Sequence, residues 1–302
     1  MKVLVIGSGG VGGYIASFLC KTNFNLTLLC RGKRFDFVKK NGLILNTLGK
    51  KLKSTNLNVT SELKNKTSFD IIINTVKLYD FDLALEDILL KVENNFIMLP
   101  FQNGIYAEEK IKKKIGFKRS YGAVAQISSS INQINQEIDH LGSLATFFVG
   151  SYSNNQSKLL KIFCQKCQEA SLNFVYKNDI KEKIWEKFIF LSAYSGFTTL
   201  NEKSIGQIFG DRNLKEKFIK AMEETYNLSK KFGIIFNFNP VEKWINKIDK
   251  MPYKMTSSMF IDFKNKKKLE LDWLSGFILE ASRKKGIGCE THEEIYRGIM
   301  TK

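Results

Sequence analysis

Met1-Lys-Val-Leu-Val-Ile-Gly-Ser-Gly-Gly-Val-Gly-Gly-Tyr-Ile-Ala-Ser-Phe-Leu19 decides the fold. The apolar run Val3 to Ile6 reads as a buried strand, Gly7, Gly9 and Gly12 fit G-x-G-x-x-G, and a helical apolar pattern follows at once. Gly7 permits a tight strand-to-helix turn, Gly9 lets backbone approach a pyrophosphate, and Gly12 lets the helix pack closely on the strand. The phosphates of a dinucleotide would then rest on unpaired N–H groups at the positive end of the helix. Gly7, Ser8, Gly9, Gly10, Val11 and Gly12 are therefore the candidate cofactor contacts. A glycine-rich turn alone is weak support, since such turns also occur for structural reasons, but a second strand at Asn25 to Cys30 supplies the βαβ context.

The end of that second strand bears on which nucleotide binds. A site selecting NAD would place Asp or Glu there against the ribose hydroxyls; this chain has Cys30-Arg-Gly-Lys-Arg34. Arg31, with Lys33 and Arg34, suits a 2′-phosphate, because a guanidinium takes phosphate oxygens in a bidentate fork. NADP(H) is expected, against the alternative of a solvated basic turn.

The 302 residues suffice for two domains, and a composition 43% hydrophobic and 25% charged is that of a globular chain. A strand starting at residue 2 leaves no room for a leader, and no apolar run approaches membrane-spanning length, so a cytoplasmic protein with no membrane partner is expected. Five scattered cysteines do not make a disulfide framework; Cys164 and Cys167 form a C-x-x-C inside an amphipathic helix and read as buried side chains. His140 and His292 have no ligand spacing, so no metal is expected. The net charge of +17 raises nucleic acid as a partner, but the lysines are dispersed and no RNA or zinc-finger motif accompanies them; a lysine coat without specific nucleic-acid binding is expected.

Strand-like runs recur at 43–45, 70–76, 95–99, 120–127, 145–149 and 173–176, alternating with helical patterns at 80–90, 107–113 and 156–169. This predicts an α/β, Rossmann-type domain over residues 1–178 built on one open sheet. Beyond it, apolar-periodic stretches at 180–200, 214–232, 240–250, 255–263, 269–283 and 292–300 predict an all-α domain over 179–302.

Lys77 follows an apolar strand, and Asn103 follows another in Leu99-Pro-Phe-Gln-Asn-Gly104, which places both at the carboxyl edge of the sheet where ligands bind. An exposed loop lysine and a turn-capping asparagine are the bland alternatives. Lys187 lies in the apolar stripe of Ile184-Trp-Glu-Lys-Phe-Ile-Phe-Leu191. It either snorkels to the surface or, desolvated at a site, donates a proton or stabilises an oxyanion. Glu270 and Asp272 read first as routine helix-start acids, and Ser257 and Ser258 precede them as hydroxyls suited to a substrate carboxylate.

With these motifs in order, the chain resembles the ketopantoate reductase (2-dehydropantoate 2-reductase) family over nearly its whole length. The resemblance rests on the glycine loop, Arg31-Gly-Lys-Arg34, Val76-Lys-Leu-Tyr-Asp80, Gln102-Asn-Gly104, Trp185-Glu-Lys187, Ser257-Ser-Met259 and Glu270-Leu-Asp272. It implies NADPH-dependent reduction of ketopantoate to pantoate in pantothenate and coenzyme A biosynthesis. Lys187 matches the lysine that protonates the carbonyl oxygen, and Glu270 the acid that orients it and binds substrate. Lys77 and Asn103 match residues of the active-site cleft, contacting cofactor and substrate, Ser258 matches a serine on the substrate carboxylate, and a homodimer is a family-level expectation. The departure lies four and eight positions after Lys187, where well-known members carry substrate-holding asparagines and this chain has Leu191 and Ser195. Ser195 remains a candidate substrate contact, but the lost amides open the way to another 2-oxo acid as substrate. A non-catalytic NADPH sensor is the alternative from outside enzymology.

Overall fold

The computed structural model describes residues 1–93, 95–153 and 157–302. The polypeptide forms two compact units, Met1–Gln102 with Ala107–Ile180, and Asn103–Tyr106 with Lys181–Lys302. The first begins β1 (Lys2–Ile6), α1 (Gly10–Leu19), β2 (Asn25–Leu29), α2 (Gly32–Asn41), β3 (Leu43–Thr47), β4 (Lys50–Ser54) and β5 (Asn58–Thr60). It continues β6 (Ile71–Asn74), α3 (Leu78–Lys91), β7 (Ile97–Pro100), α4 (Tyr106–Ile115), β8 (Tyr121–Ile131), β9 (Ile138–Ser151), α5 (Lys158–Glu169) and β10 (Asn173–Tyr176). The predicted start of α5 at Gln156 lies outside the described residues.

Five strands form a parallel sheet in the order β5-β2-β1-β6-β7. The strand order reverses direction at β1, so the carboxyl ends of β1 and β6 are the topological switch point at which open α/β sheets take ligands. Val3, Leu4 and Val5 are wholly buried, which is why β1 reads as a continuous apolar run instead of an alternating one.

The remaining strands correct the expectation of one open sheet through residue 178. They make a second, mixed sheet, β10-β9-β3-β4, with β8 antiparallel to β9. Its β3–β4 hairpin turns through Leu48 and Gly49, both at positive φ, and β4 reads Lys-Lys-Leu-Lys-Ser, a charged edge strand that apolar patterning does not find. Helix α1 contacts strands of both sheets, and one core joins Val3, Ile71 and Ile73 to Ile15, Leu19, Leu45, Phe147 and Phe174. Cys164 and Cys167 are buried in α5.

The second unit is helical: α6 (Ile180–Asn201), α7 (Ile205–Phe209), α8 (Arg212–Lys231), α9 (Pro240–Ile248), α10 (Ser258–Lys264), α11 (Ser275–Lys285) and α12 (Glu290–Met300). Helix α6 is apolar around most of its circumference, as a helix enclosed by others must be. Phe190 stacks on Trp244 of α9 at 4.3 Å between ring centroids, and Phe197 packs on Phe218 of α8. A Cβ at Gly196 would lie 2.7 Å from Ile295, so glycine there sets the approach of α12. The single helix predicted over 269–283 is instead two pieces, a 3-10 turn at Leu271–Trp273 and then α11, separated at Leu274 with φ −103° and ψ −90°. Among the described residues no helix is long and apolar enough to cross a membrane.

Candidate active site

In the first unit the turn between β1 and α1 has three kinds of glycine. Gly7 sits at φ +91°, left-handed backbone that other residues rarely adopt. Gly10 and Gly12 are forced by proximity: a Cβ would fall 2.1 Å from the Ser129 carbonyl oxygen of β8 in one case and 2.1 Å from the Gly7 carbonyl oxygen in the other. Gly9 satisfies neither condition. Its backbone is extended, φ −66° and ψ −169°, and a Cβ there would meet nothing within 4 Å. What its missing side chain preserves is open space at the mouth of α1, whose first turn holds no acidic residue and no side-chain cap. That is a cradle suited to a pyrophosphate, with the N–H groups of Gly10, Val11 and Gly12 at the positive helix end.

The neighbouring strand end holds this turn in shape. Thr75, just after β6, shares its hydroxyl proton between the carbonyls of Ile6 and Gly7 at 2.9 and 3.0 Å. Gln102 donates to Asn74 Oδ1 and to the Val76 carbonyl, which ties the end of β7 to the segment leading into Lys77. Lys77 is the N-cap of α3, at the carboxyl edge of the sheet as predicted from its place after an apolar strand.

At the end of β2, Arg31 is the N-cap of α2 and its side chain is 70% exposed, with Nη2 3.7 Å from Asp87 of α3 and Nε on the Ser61 carbonyl. Arg34 is more enclosed. Its Nε–H donates to Ser8 Oγ at 3.3 Å, Nη1 donates to the Gln136 carbonyl, and Nη2 is buried without a partner. Its positive charge beside the glycine loop suits an anionic ligand.

In the second unit Asn103 meets Lys187. The strand-end segment Asn103–Tyr106 belongs to this unit, and Lys187 Nζ donates to Asn103 Oδ1 at 3.0 Å, across 84 positions of sequence. Gly104, at φ +85°, makes the turn, and a Cβ there would press on Leu274, Phe188 and Trp273. Lys187 is half-buried on α6, between the two readings its periodicity left open.

The helix bearing Lys187 is fixed on its other side. Burial pushes the Glu186 carboxyl upward in pKa, but its bond to Lys243 and the charge of Lys183 outweigh this and hold it below the usual value. Trp244 Nε1 donates to the Glu186 carbonyl at 2.6 Å. Sequence patterning had no signal for this tether, since its partners lie 57 and 58 positions away (243 − 186 and 244 − 186).

Glu270 is buried, 7% exposed, just before the 3-10 turn, and its carbonyl accepts from the N–H groups of Trp273 and Leu274. It is thus not a residue of a continuous helix, as the periodicity had it. Asp272 takes the hydroxyl of Tyr296 at 2.7 Å, a bond to α12. Ser257 caps α10 and exchanges a 2.7 Å hydrogen bond with Thr198 of α6; Ser258, the first residue of α10, is exposed. Ser195 is buried on α6 and Leu191 half-buried.

Both histidines have structural partners. His140 bonds Thr47 and the Leu144 carbonyl. His292, wholly buried, bonds Thr225 and the Ala221 carbonyl, and burial pulls its pKa down to about 4. Among the described residues there is no cluster of His, Cys, Asp and Glu able to hold a metal ion.

Both halves of the chain match known proteins. Residues 3–154 match the family described as ketopantoate reductase PanE/ApbA, and residues 179–302 match its C-terminal counterpart. An uncharacterized oxidoreductase, YkpB, of Bacillus subtilis is 26% identical, covering 99% of this chain and 98% of its own. A 2-dehydropantoate 2-reductase of Pyrococcus horikoshii is also 26% identical, over 94% and 91%. Among solved structures, 2-dehydropantoate 2-reductase from Geobacter metallireducens superposes with a TM-score of 0.89 at 19% identity, covering 100% and 99%. D-mandelate dehydrogenase bound to NADH and anilino(oxo)acetate does so with 0.88 at 18% identity, covering 100% and 98%. A glycine cradle, a lysine held by an amide, and family matches across both halves lead to one assignment: the chain is an oxidoreductase of the ketopantoate reductase PanE/ApbA family.

Proposed function

We propose that this protein reduces the ketone of a 2-oxo acid at the expense of NADPH, with ketopantoate the first candidate substrate and pantoate its product. The observation that carries the reading is the Lys187–Asn103 contact at 3.0 Å. An ammonium group has three N–H donors; Asn103 takes one and fixes the direction of the others. A lysine so held supplies a proton to a carbonyl oxygen as negative charge develops there, and its charge stabilises that oxygen.

Within this reading residues 1–178 bind the cofactor and 179–302 the substrate. The turn from Gly7 to Gly12 holds the pyrophosphate, Arg31 favours the 2′-phosphate, and Lys77 and Asn103 lie toward the nicotinamide end. When bound, NADPH supplies a hydride to the substrate carbon. Lys187 donates the proton, Glu270 orients Lys187, and Ser258 and Ser195 contact the acid.

A second 2-oxo acid competes with ketopantoate because Leu191 offers no hydrogen bond, and D-mandelate dehydrogenase shares the fold. A site built to hydrogen-bond a hydroxyl strongly rejects an analogue lacking it, whereas an apolar pocket rejects an added hydroxyl only weakly, so loss of the amides widens the range of 2-oxo acids accepted. The test is NADPH oxidation with a panel of 2-oxo acids bearing hydroxylated, branched and aromatic side chains. Turnover of at least one member is expected; none, with NADPH bound, removes the reading.

A further inference from the structure

Helix α9 grips α6 at several points beside Lys187, and the grips are directional. Trp244 donates its indole N–H to the Glu186 carbonyl at 2.6 Å. A carbonyl in the body of a helix has two lone pairs, one of which serves the helix ladder, so the indole takes the other. The Trp244 ring lies on Phe190 with centroids 4.3 Å and planes 15° apart, and the Lys247 ammonium stands 4.6 Å from its centre. One oxygen of the Glu186 carboxylate takes Lys183 at 3.1 Å; the other takes Lys243 at 2.9 Å and has Lys247 at 3.8 Å.

Two features separate this clamp from ordinary packing. Glu186 is buried, and a buried ion cluster stabilises a fold little more than apolar side chains of the same shape would. What it adds is direction, since apolar contact is non-directional whereas hydrogen bonds and ion pairs fix angles. The second feature is where the clamp sits. At about 100° per residue, positions 183, 186 and 190 all lie to one side of Lys187, about 40–100° round the helix. Asn103 holds the ammonium tip, and the clamp holds the helix that carries it. A side-chain tip lies roughly 5–6 Å from the helix axis, so a turn of about 10° moves it by about 1 Å, a misplacement that can cost a site about a hundredfold in rate.

We propose that Trp244, through its indole N–H, and Glu186, through its carboxylate, are positioning residues: they set the rotation of α6 about its own axis and with it the place of the Lys187 ammonium. The assignment rests on the reading of Lys187 as the proton donor. Neither residue touches the reacting atoms. Both act through Lys187, so their effect on the rate exists only while that lysine is present.

The test is a double-mutant cycle on the full chain, with rates expressed per native molecule. Trp244→Phe keeps a ring on Phe190 and removes the N–H; it is expected to lower kcat roughly tenfold while KM stays within about twofold. In a Lys187→Ala background the same change should cost less than about a further twofold, because the group it positions is gone. A full additional loss in that background, or an unchanged kcat in the single variant, overturns the proposal and leaves the clamp a matter of stability. If Trp244→Phe fails to fold, Glu186→Gln, which keeps the side chain's shape and removes its charge, decides by the same cycle, with an expected loss of about threefold. Acylation of Lys187 by an amine-directed reagent, followed by peptide mass spectrometry without nucleotide or oxo acid, should quicken several-fold in either variant as the hold of Asn103 loosens; an equal rate also overturns the proposal. Absence of turnover by the native chain on every 2-oxo acid would remove the reductase reading yet leave the acylation comparison intact, so the two failures are distinguishable.

Discussion

The first unit builds its candidate site from main chain, the second from side chains. Around α1 the work falls to glycines and bare N–H groups, and each glycine has its own cause: positive φ at Gly7, close packing at Gly10 and Gly12, open space at Gly9. Around α6 it falls to Lys187 and Asn103, which meet across 84 positions of sequence. A main-chain site constrains sequence tightly and says little about the reaction. A side-chain site is less tightly constrained, because its members come from separate segments of the chain.

Lys187→Ala is expected to lower kcat by about 10²- to 10⁴-fold, the usual worth of a positioned proton donor, while NADPH affinity measured by titration stays put. A parallel loss of NADPH affinity would make Lys187 part of the nucleotide site and break the distinction between the two units.

Acid should weaken the second unit through His292. Its folded pKa of about 4 lies below the ordinary 6.5, so the unfolded chain binds the extra proton first. The associated stability is complete above about pH 6.5 and drains away as pH falls toward 4, on the order of 3 kcal/mol in all. Urea melts at pH 7 and pH 4.5 measure it, and His292→Asn should flatten the difference; an undiminished slope in the variant assigns the effect to other groups.

Gly12→Ala places a Cβ 2.1 Å from the Gly7 carbonyl oxygen and 2.2 Å from Thr75 Oγ1. The overpacking should cost about 1–3 kcal/mol, seen as a lowered melting temperature. Gly9→Ala sharpens the contrast: it should leave the melting temperature within a degree or so, its Cβ meeting no protein atom, yet weaken NADPH binding several-fold. If Gly9→Ala melts early with normal affinity, Gly9 is a folding glycine and not a ligand-approach one. Smallest is Leu191→Asn, expected to move the kcat/KM ratio of ketopantoate to an apolar 2-oxo acid by about two- to threefold toward ketopantoate. A shift the other way means Leu191 does not face the substrate side chain.

The same division governs what was legible in the sequence. The β1–α1 turn was readable because Gly7, Gly9 and Gly12 fall at fixed spacing within one short stretch after an apolar run, and the helical second unit because apolar periodicity is also local. Edge strand β4 was not: three lysines in five residues mask a strand whose stabilisation comes from pairing with β3. The break at Leu274 was hidden because apolar residues on either side keep helical spacing across it. At Lys187 periodicity could not choose between surface and site, since α6 is apolar on nearly every face and a stripe has no edge there. The bond to Asn103 settled its surroundings, and a contact across 84 residues leaves no pattern in one sequence.

Isotopic labelling follows the hydride itself. The protein is supplied with NADPH carrying deuterium at the transferable nicotinamide position, together with the 2-oxo acid panel, and products are examined by mass spectrometry. The expected product is a 2-hydroxy acid with one deuterium on its C2 carbon, formed by the native chain and nearly lost in Lys187→Ala at equal nucleotide occupancy. No deuterated hydroxy acid from any member of the panel, with the nucleotide bound, would contradict the proposed reduction.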